Sequence, residues 1–120
     1  MSILLWICQG LLALLFVLIG VMKIALPIPK LSENMKWVLD FPSLAVRGIG
    51  TLEIILGIAI LLPRFMGTVP ISISVYAGYG IAAIMIGAII THAARGEYPF
   101  IAMNVIVLAM ALVVSFYIIK

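Results

Sequence analysis

Apart from Gln9 in the first run, five ionisable or amide side chains interrupt the apolar runs of this sequence, and their chemistry needs an explanation. Glu53 lies about ten residues into one run, roughly 15 Å from its start and close to the middle of a bilayer. An acid at that depth costs on the order of 3 kcal/mol on insertion scales and marks a candidate functional site. The other four lie nearer one end of their runs: Lys23, Arg47, His92 and Asn104. Together these five residues predict a polar cluster inside a helix bundle, able to hydrogen-bond the head of a ligand.

The partner of Glu53 is expected to come from another helix. Arg47 is in the same run, but a spacing of six residues turns the two side chains about 120° apart on a helix. Lys23 or His92 is the favoured partner, and a protonated carboxyl group is the alternative that the sequence leaves open. The other polar residues also have ordinary interpretations. Lys23 and Arg47 can extend to the headgroups, His92 can lie at the interface, and Asn104 can hydrogen-bond across the bundle.

Several chemistries are excluded by the residues that are missing. The sequence has no glycine-rich phosphate loop, no HExxH motif and no CxxC motif. With one histidine and one cysteine, Cys8, the chain cannot ligate a haem through two histidines or form an internal disulfide. No catalytic residue and no metal site is predicted. A net charge of +3, scattered along the chain, does not indicate a nucleic-acid partner.

The elements that position these residues are predicted to be transmembrane helices. Of the 120 residues, 67% are hydrophobic and 9% are charged, with a mean hydropathy of +1.42, which a soluble domain does not tolerate. A bilayer core is crossed by about 20 helical residues. We therefore expect an all-α, single-domain four-helix membrane bundle over residues 1–120, with spans at about 3–26, 43–62, 70–93 and 100–119. Prolines near most of these boundaries support the assignment.

Two further features concern the first half of the chain. The first run is interpreted as an uncleaved span, because it has neither a basic leader nor a small-residue cleavage site. Residues 30–41 are interpreted as a short interfacial amphipathic helix, with Ser32 as its N-cap and Trp37 at the membrane surface. An irregular loop anchored by Trp37 is the alternative.

Small residues recur at helical spacing on one face of each predicted span. Such residues let transmembrane helices approach closely, so these faces are expected to meet inside the bundle. The glycines assigned to helix packing are Gly20, Gly50, Gly57, Gly80 and Gly87.

The basic residues predict an orientation in the membrane. Lys30, Lys36 and Arg95 fall in the first and third connections, whereas Arg64 and Lys120 fall on the side of the termini. The positive-inside rule then places those two connections in the cytoplasm and both termini outside it.

Three stretches and an early glycine–lysine pair resemble the DoxX-like family of small bacterial membrane proteins. The most specific is RGIGTLEIILGIAILLP at residues 47–63, with MKWVLDFP at 35–42, THAARGEYPFIAMN at 91–104, and Gly20 with Lys23. The resemblance covers nearly the whole chain and implies a four-helix bundle in the bacterial cytoplasmic membrane. It implies less about activity, since the founding member accompanies a quinone-reducing enzyme and an animal relative assists receptor assembly. The positions that match the family pattern are Lys23, Arg47, Glu53, His92 and Asn104.

These observations favour a protein that binds a small lipophilic molecule, such as a quinone or a lipid, in a polar pocket inside the bundle. No other cofactor is indicated. The alternative is a non-catalytic accessory or assembly subunit, at most a companion of a quinone-linked oxidoreductase, that contacts a membrane-protein partner or a second copy of itself. Proton-coupled transport through Glu53 is a third interpretation. In each case membrane lipids surround the protein.

Overall fold

The computed structural model describes residues 2–118, and four long helices account for most of them. They are α1 (Ser2–Ala25), α3 (Ser43–Phe65), α4 (Ser72–Ala94) and α5 (Tyr98–Tyr117). Two short elements, α2 (Ile28–Leu31) and a 3-10 helix (Lys36–Asp40), connect α1 to α3. All four long helices have the length and apolar composition needed to cross a membrane. The predicted all-α four-helix bundle is confirmed.

The bundle consists of two antiparallel pairs. α1 packs most extensively on α3, and α4 on α5. α3 joins the pairs by packing on α4, while the seam between α1 and α5 is the least extensive of these interfaces. We call the end that carries residues 26–42 and 95–97 the loop end, and the end that carries residues 66–71 the terminal end. An ion pair between Arg95 and Asp40 ties the two connections of the loop end together.

The helices bury one face each and expose the rest. Leu12, Ile60, Ile81 and Val114 are fully buried at the centre of the bundle. In the most apolar 18 residues of each span, between 22 and 39% are buried, so most of the helix surface faces outward. Those outward faces carry leucine, isoleucine and valine, as expected where lipid is the solvent.

Pro63 does not end its helix as predicted, since α3 continues to Phe65. Proline removes one backbone donor and is normally disruptive inside a helix. In the turn before Pro63, Gln9 Nε2 and Ser74 Oγ each donate to the carbonyl of Ile60 at 2.8 Å. At the other boundaries the helix ends lie within two residues of those expected. The expected end of the fourth span, residue 119, lies outside the described residues.

The connection after α1 differs from the single amphipathic helix predicted. Ser32 is not an N-cap; it follows the last residue of α2, and its Oγ donates to the carbonyl of Pro29 at 2.7 Å. α2 is a single turn that begins after Pro27, and a separate 3-10 helix follows. Leu31 and Val38 are buried together with Val46 of α3. The connection therefore packs onto the end of the bundle through apolar side chains.

Candidate functional site

The site begins at a close crossing of α1 and α3. A Cβ atom placed on Gly20 would lie 2.6 Å from the carbonyl oxygen of Gly50. A Cβ atom on Gly50 would lie 2.7 Å from Cβ of Lys23. No real side chain fits in such a space, so both positions require glycine, and the crossing brings Lys23 directly against α3.

Lys23 and Glu53 form an ion pair just beyond this crossing. Lys23 Nζ donates to Glu53 Oε1 at 2.8 Å, and the two residues are 6% and 3% exposed. Of the two partners expected for Glu53, Lys23 is the one found. A buried pair adds little net stability over apolar residues, but a member left unpaired is costly. The pair therefore fixes how α1 and α3 sit against each other.

Two further groups hold Lys23 in place. Its Nζ lies 5.0 Å from the centroid of the Trp37 ring, a cation–π contact. Its carbonyl accepts a hydrogen bond of 2.6 Å from Arg47 Nη1, which also donates to the carbonyl of Leu26 at 2.5 Å. Carbonyls at the C-terminus of a helix lack partners within it and carry partial negative charge, which a guanidinium group satisfies. Three of the five predicted site residues, Lys23, Arg47 and Glu53, thus meet between α1 and α3.

His92 belongs to a second group at the loop end and is not bonded to Glu53. Its Nδ1 lies 3.0 Å from Glu97 Oε1, and its ring stacks on Phe100 with 5.2 Å between centroids. Arg95 Nε also donates to Glu97 Oε1, at 3.2 Å, and Arg95 pairs with Asp40. The hydrogen bond with His92, with a smaller contribution from Arg95, holds the pKa of Glu97 below its usual range. Through the Arg95–Asp40 pair, this group holds the α4–α5 connection against the connection between α1 and α3.

Asn104 is in neither group. Its Nδ2 is buried and has no hydrogen-bond partner among residues 2–118. A buried donor left unpaired costs about 1 to 3 kcal/mol. The cross-bundle hydrogen bond that is the ordinary interpretation of Asn104 is therefore not made by Nδ2.

Two apolar grooves are open on the surface, and neither includes the ion pair. One, of about 290 Å³, follows the seam between α1 and α5. Its α5 side is formed by Met103, Ile106, Val107 and Met110; Asn104 follows Met103 in the chain but does not line the groove. The other, of about 460 Å³, lies between α1 and α3 and reaches Phe65 at the terminal end. None of the five predicted residues lines either of these two grooves.

A buried polar network at the terminal end was not predicted. Gln9 is fully buried, and its Oε1 accepts a hydrogen bond from Arg64 Nε. The guanidinium carbon of Arg64 lies 4.3 Å from the centroid of the Trp6 ring. The signal was available, because Gln9 lies at helical spacing from Gly20 and Lys23 on the inward face of α1.

Four of the five predicted packing glycines lie against another helix, and one does not. Gly20, Gly50 and Gly57 lie at the α1–α3 interface, and Gly80 lies against Leu56, where a Cβ atom would come within 2.8 Å of Cδ2. Gly87 is exposed, and a Cβ atom there would meet nothing within 4 Å, so the prediction that it packs inside the bundle is wrong. Its face of α4 points outward.

The fold and the buried pair define a small multi-pass membrane protein built as a four-helix bundle. The family model described as the DoxX-like family matches residues 7–114, and the chain belongs to that family. The match includes all five residues singled out from the sequence. Comparisons with curated proteins and with solved structures gave no match.

Proposed function

We propose that this protein binds a small lipophilic molecule bearing a hydrogen-bond acceptor, with its apolar part in the α1–α5 groove and its acceptor on Asn104. The observation that carries the proposal is the buried, unpartnered Nδ2 of Asn104. Asn104 follows Met103 and precedes Val107 by one helical turn, and both of those residues line the groove. An unpaired buried donor therefore lies within one helical turn of two residues that line the groove.

The chemistry of the groove selects the kind of ligand. Leucine, isoleucine and methionine side chains of α1 and α5 enclose an apolar body, and methionine adapts to irregular shapes. An amide N–H donor recognises a carbonyl oxygen, which a quinone or a lipid ester supplies. The Lys23–Glu53 pair plays a supporting part, because it fixes α1 against α3. The bacterial cytoplasmic membrane, where such molecules are abundant, is the proposed location.

The test is mass spectrometry of the molecules that co-purify with the protein. Wild type, Asn104→Leu and Thr51→Val are purified in a mild detergent and extracted with organic solvent. Leucine has nearly the shape of asparagine without its donor, so we expect the bound carbonyl compound to fall about threefold to tenfold, the worth of one hydrogen bond. Thr51→Val is the control, because Thr51 is exposed and, within residues 2–118, its Oγ1 bonds only to the carbonyl of Arg47 in its own helix.

Stability without ligand separates a binding role from a structural one. Asn104→Leu removes an unpaired buried donor, so the unliganded variant is expected to be at least as stable as wild type. Bulk phospholipid in equal amounts from all three proteins would contradict the proposal.

A second candidate function, an accessory subunit or self-associating protein, is favoured by the outward face of α4. Ala83 and Gly87 are exposed four residues apart, which is the small-residue spacing of transmembrane helix interfaces. Crosslinking in native membranes, before solubilisation, tests this role. Crosslinks from α4 to a partner that Gly87→Leu abolishes would support it, and an uncrosslinked monomer at all protein levels would contradict it.

A further inference from the structure

Among residues 2–118, the terminal end holds one cation, Arg64, in a fixed position without a counter-ion. Arg64 is anchored through Nε to Gln9, and Gln9 is itself anchored to the carbonyl of Ile60 at 2.8 Å. The guanidinium group also lies over the Trp6 ring in a cation–π contact. Such anchoring orients the planar group and leaves its Nη atoms, which have no acceptor among the described residues, free to donate.

The acidic residues of the chain lie far from this cation. Glu33, Asp40 and Glu97 lie at the loop end, and Glu53 is paired with Lys23 near the middle of α3. Charge complementarity at Arg64 therefore has to come from outside residues 2–118. A ligand with an anionic group meets this requirement.

An apolar groove begins at the same place. It is the groove of about 460 Å³ between α1 and α3, which we call the outer α1–α3 groove. Its lining includes Leu61, Leu62 and Phe65 on either side of Arg64, and Gly10 next to Gln9. It extends inward to Gly57, roughly 12 Å along the helix axis from Phe65. Its lining is almost wholly apolar, and it opens toward the lipid.

We infer that this end of the protein binds one anionic phospholipid, whose phosphate is held by Arg64 and whose acyl chain occupies the outer α1–α3 groove. A helix end is at the depth of the headgroups, so the cation and the groove match the two parts of such a lipid. This site is separate from the α1–α5 groove and does not depend on the proposed function.

Native mass spectrometry with added lipid tests the site. Purified protein is titrated with dioleoyl phosphatidylglycerol and with dioleoyl phosphatidylcholine, which share acyl chains but differ in net charge. We expect wild type to prefer the anionic lipid, and Arg64→Gln to lower that preference about fivefold to tenfold through loss of a charge-assisted contact. Lys36→Gln removes an exposed cation at the loop end and is expected to leave the preference unchanged.

A second pair of variants tests the groove. A Cβ atom at Gly10 would meet nothing within 4 Å, so Gly10→Leu is expected to fold while its side chain fills the groove. It should weaken binding of both lipids about tenfold, a loss that follows from blocking the apolar contact. Gly87→Leu, at another open glycine on α4, is the matched control and should bind both lipids as wild type does.

Three results would overturn the inference. The first is an unchanged preference in Arg64→Gln, or an equal loss in Lys36→Gln, which would indicate only a general surface charge. The second is undiminished binding of both lipids by Gly10→Leu. The third is displacement of phosphatidylglycerol by inorganic phosphate at equal concentration, which would indicate a free-anion site.

Discussion

The buried pair of Lys23 and Glu53 determines how substitutions at these positions act. Glu53→Gln leaves the lysine ammonium group buried without its counter-ion, and breaking such a pair costs about 3 to 5 kcal/mol. We expect this loss in the free energy of unfolding, measured by denaturant titration in detergent micelles.

A double variant separates the pair from the general effect of changing these residues. Lys23→Met with Glu53→Leu removes both charges and fills the space with apolar groups, and it should regain most of the lost stability. Wild-type stability in Glu53→Gln alone would contradict the role assigned to the pair.

The lowered pKa of Glu97, at the loop end, makes the stability of the folded protein depend on pH. Its pKa is lowered from an ordinary value of 4.5, mainly by the hydrogen bond with His92. A carboxyl group with a lowered pKa in the folded state stabilises the protein fully above its unfolded pKa and loses that effect as the pH falls through the lowered value. The stability difference between wild type and Glu97→Gln should therefore be constant at neutral pH and disappear in acid. A difference that grows below pH 4.5 would contradict this assignment.

Residue types in the sequence indicated which side chains needed partners, but not always which partners they have. Glu53 was recognisable because a carboxylate at that depth has to be paired, and Lys23 was one of two candidates. The assignment of His92 depended on its five-residue separation from Glu97, across a turn whose shape hydropathy does not give. Asn104 shows the opposite case, since an unpaired donor is visible only when its surroundings are known.

The crossing of α1 and α3 makes the two neighbouring glycines of α3 behave differently. A methyl group on Gly50 would collide with Lys23 Cβ at 2.7 Å and with the Gly20 carbonyl oxygen at 2.8 Å. Gly50→Ala should therefore separate the helices and cost about 1 to 3 kcal/mol. Gly48 has open space, so Gly48→Ala is the control and should be neutral or stabilising by up to about 1 kcal/mol. Equal effects of both variants on the unfolding free energy would show that the crossing is not tight.

Helices were predictable as elements because apolar length alone specifies a transmembrane span. Their ends were less predictable where the structure departs from a local rule. Pro63 is normally a terminator, yet α3 continues through it to Phe65. Ser32 is a residue type favoured at N-caps, yet a one-turn helix begins after Pro27, and Ser32 is the C-cap of that helix.

The bundle as a whole has an asymmetric distribution of charge. Lys30, Lys36 and Arg95 surround the loop end, while Arg64 is the cation of the terminal end among residues 2–118. We expect the loop end to face the cytoplasm. In a Cys8→Ser background, a membrane-impermeant maleimide should label Thr68→Cys in intact cells and label Asn34→Cys only after permeabilisation. Labelling of Asn34→Cys in intact cells would reverse the orientation.

The sequence was sufficient for the bundle but not for the arrangement of its site. Which helices are neighbours decides which polar residues meet, and the pairing of α1 with α3 and of α4 with α5 divides the predicted cluster into separate groups. The α1–α5 seam, where the ligand is proposed to bind, follows from that pairing and has no signature of its own along the chain.

An experimental density map of the protein purified from native membranes is the sharpest test of ligand binding. We expect density for a non-protein molecule in the α1–α5 groove, with an acceptor atom within about 3.2 Å of Asn104 Nδ2. An empty groove, with that amide bonded to a carbonyl of the protein itself, would contradict the proposed function.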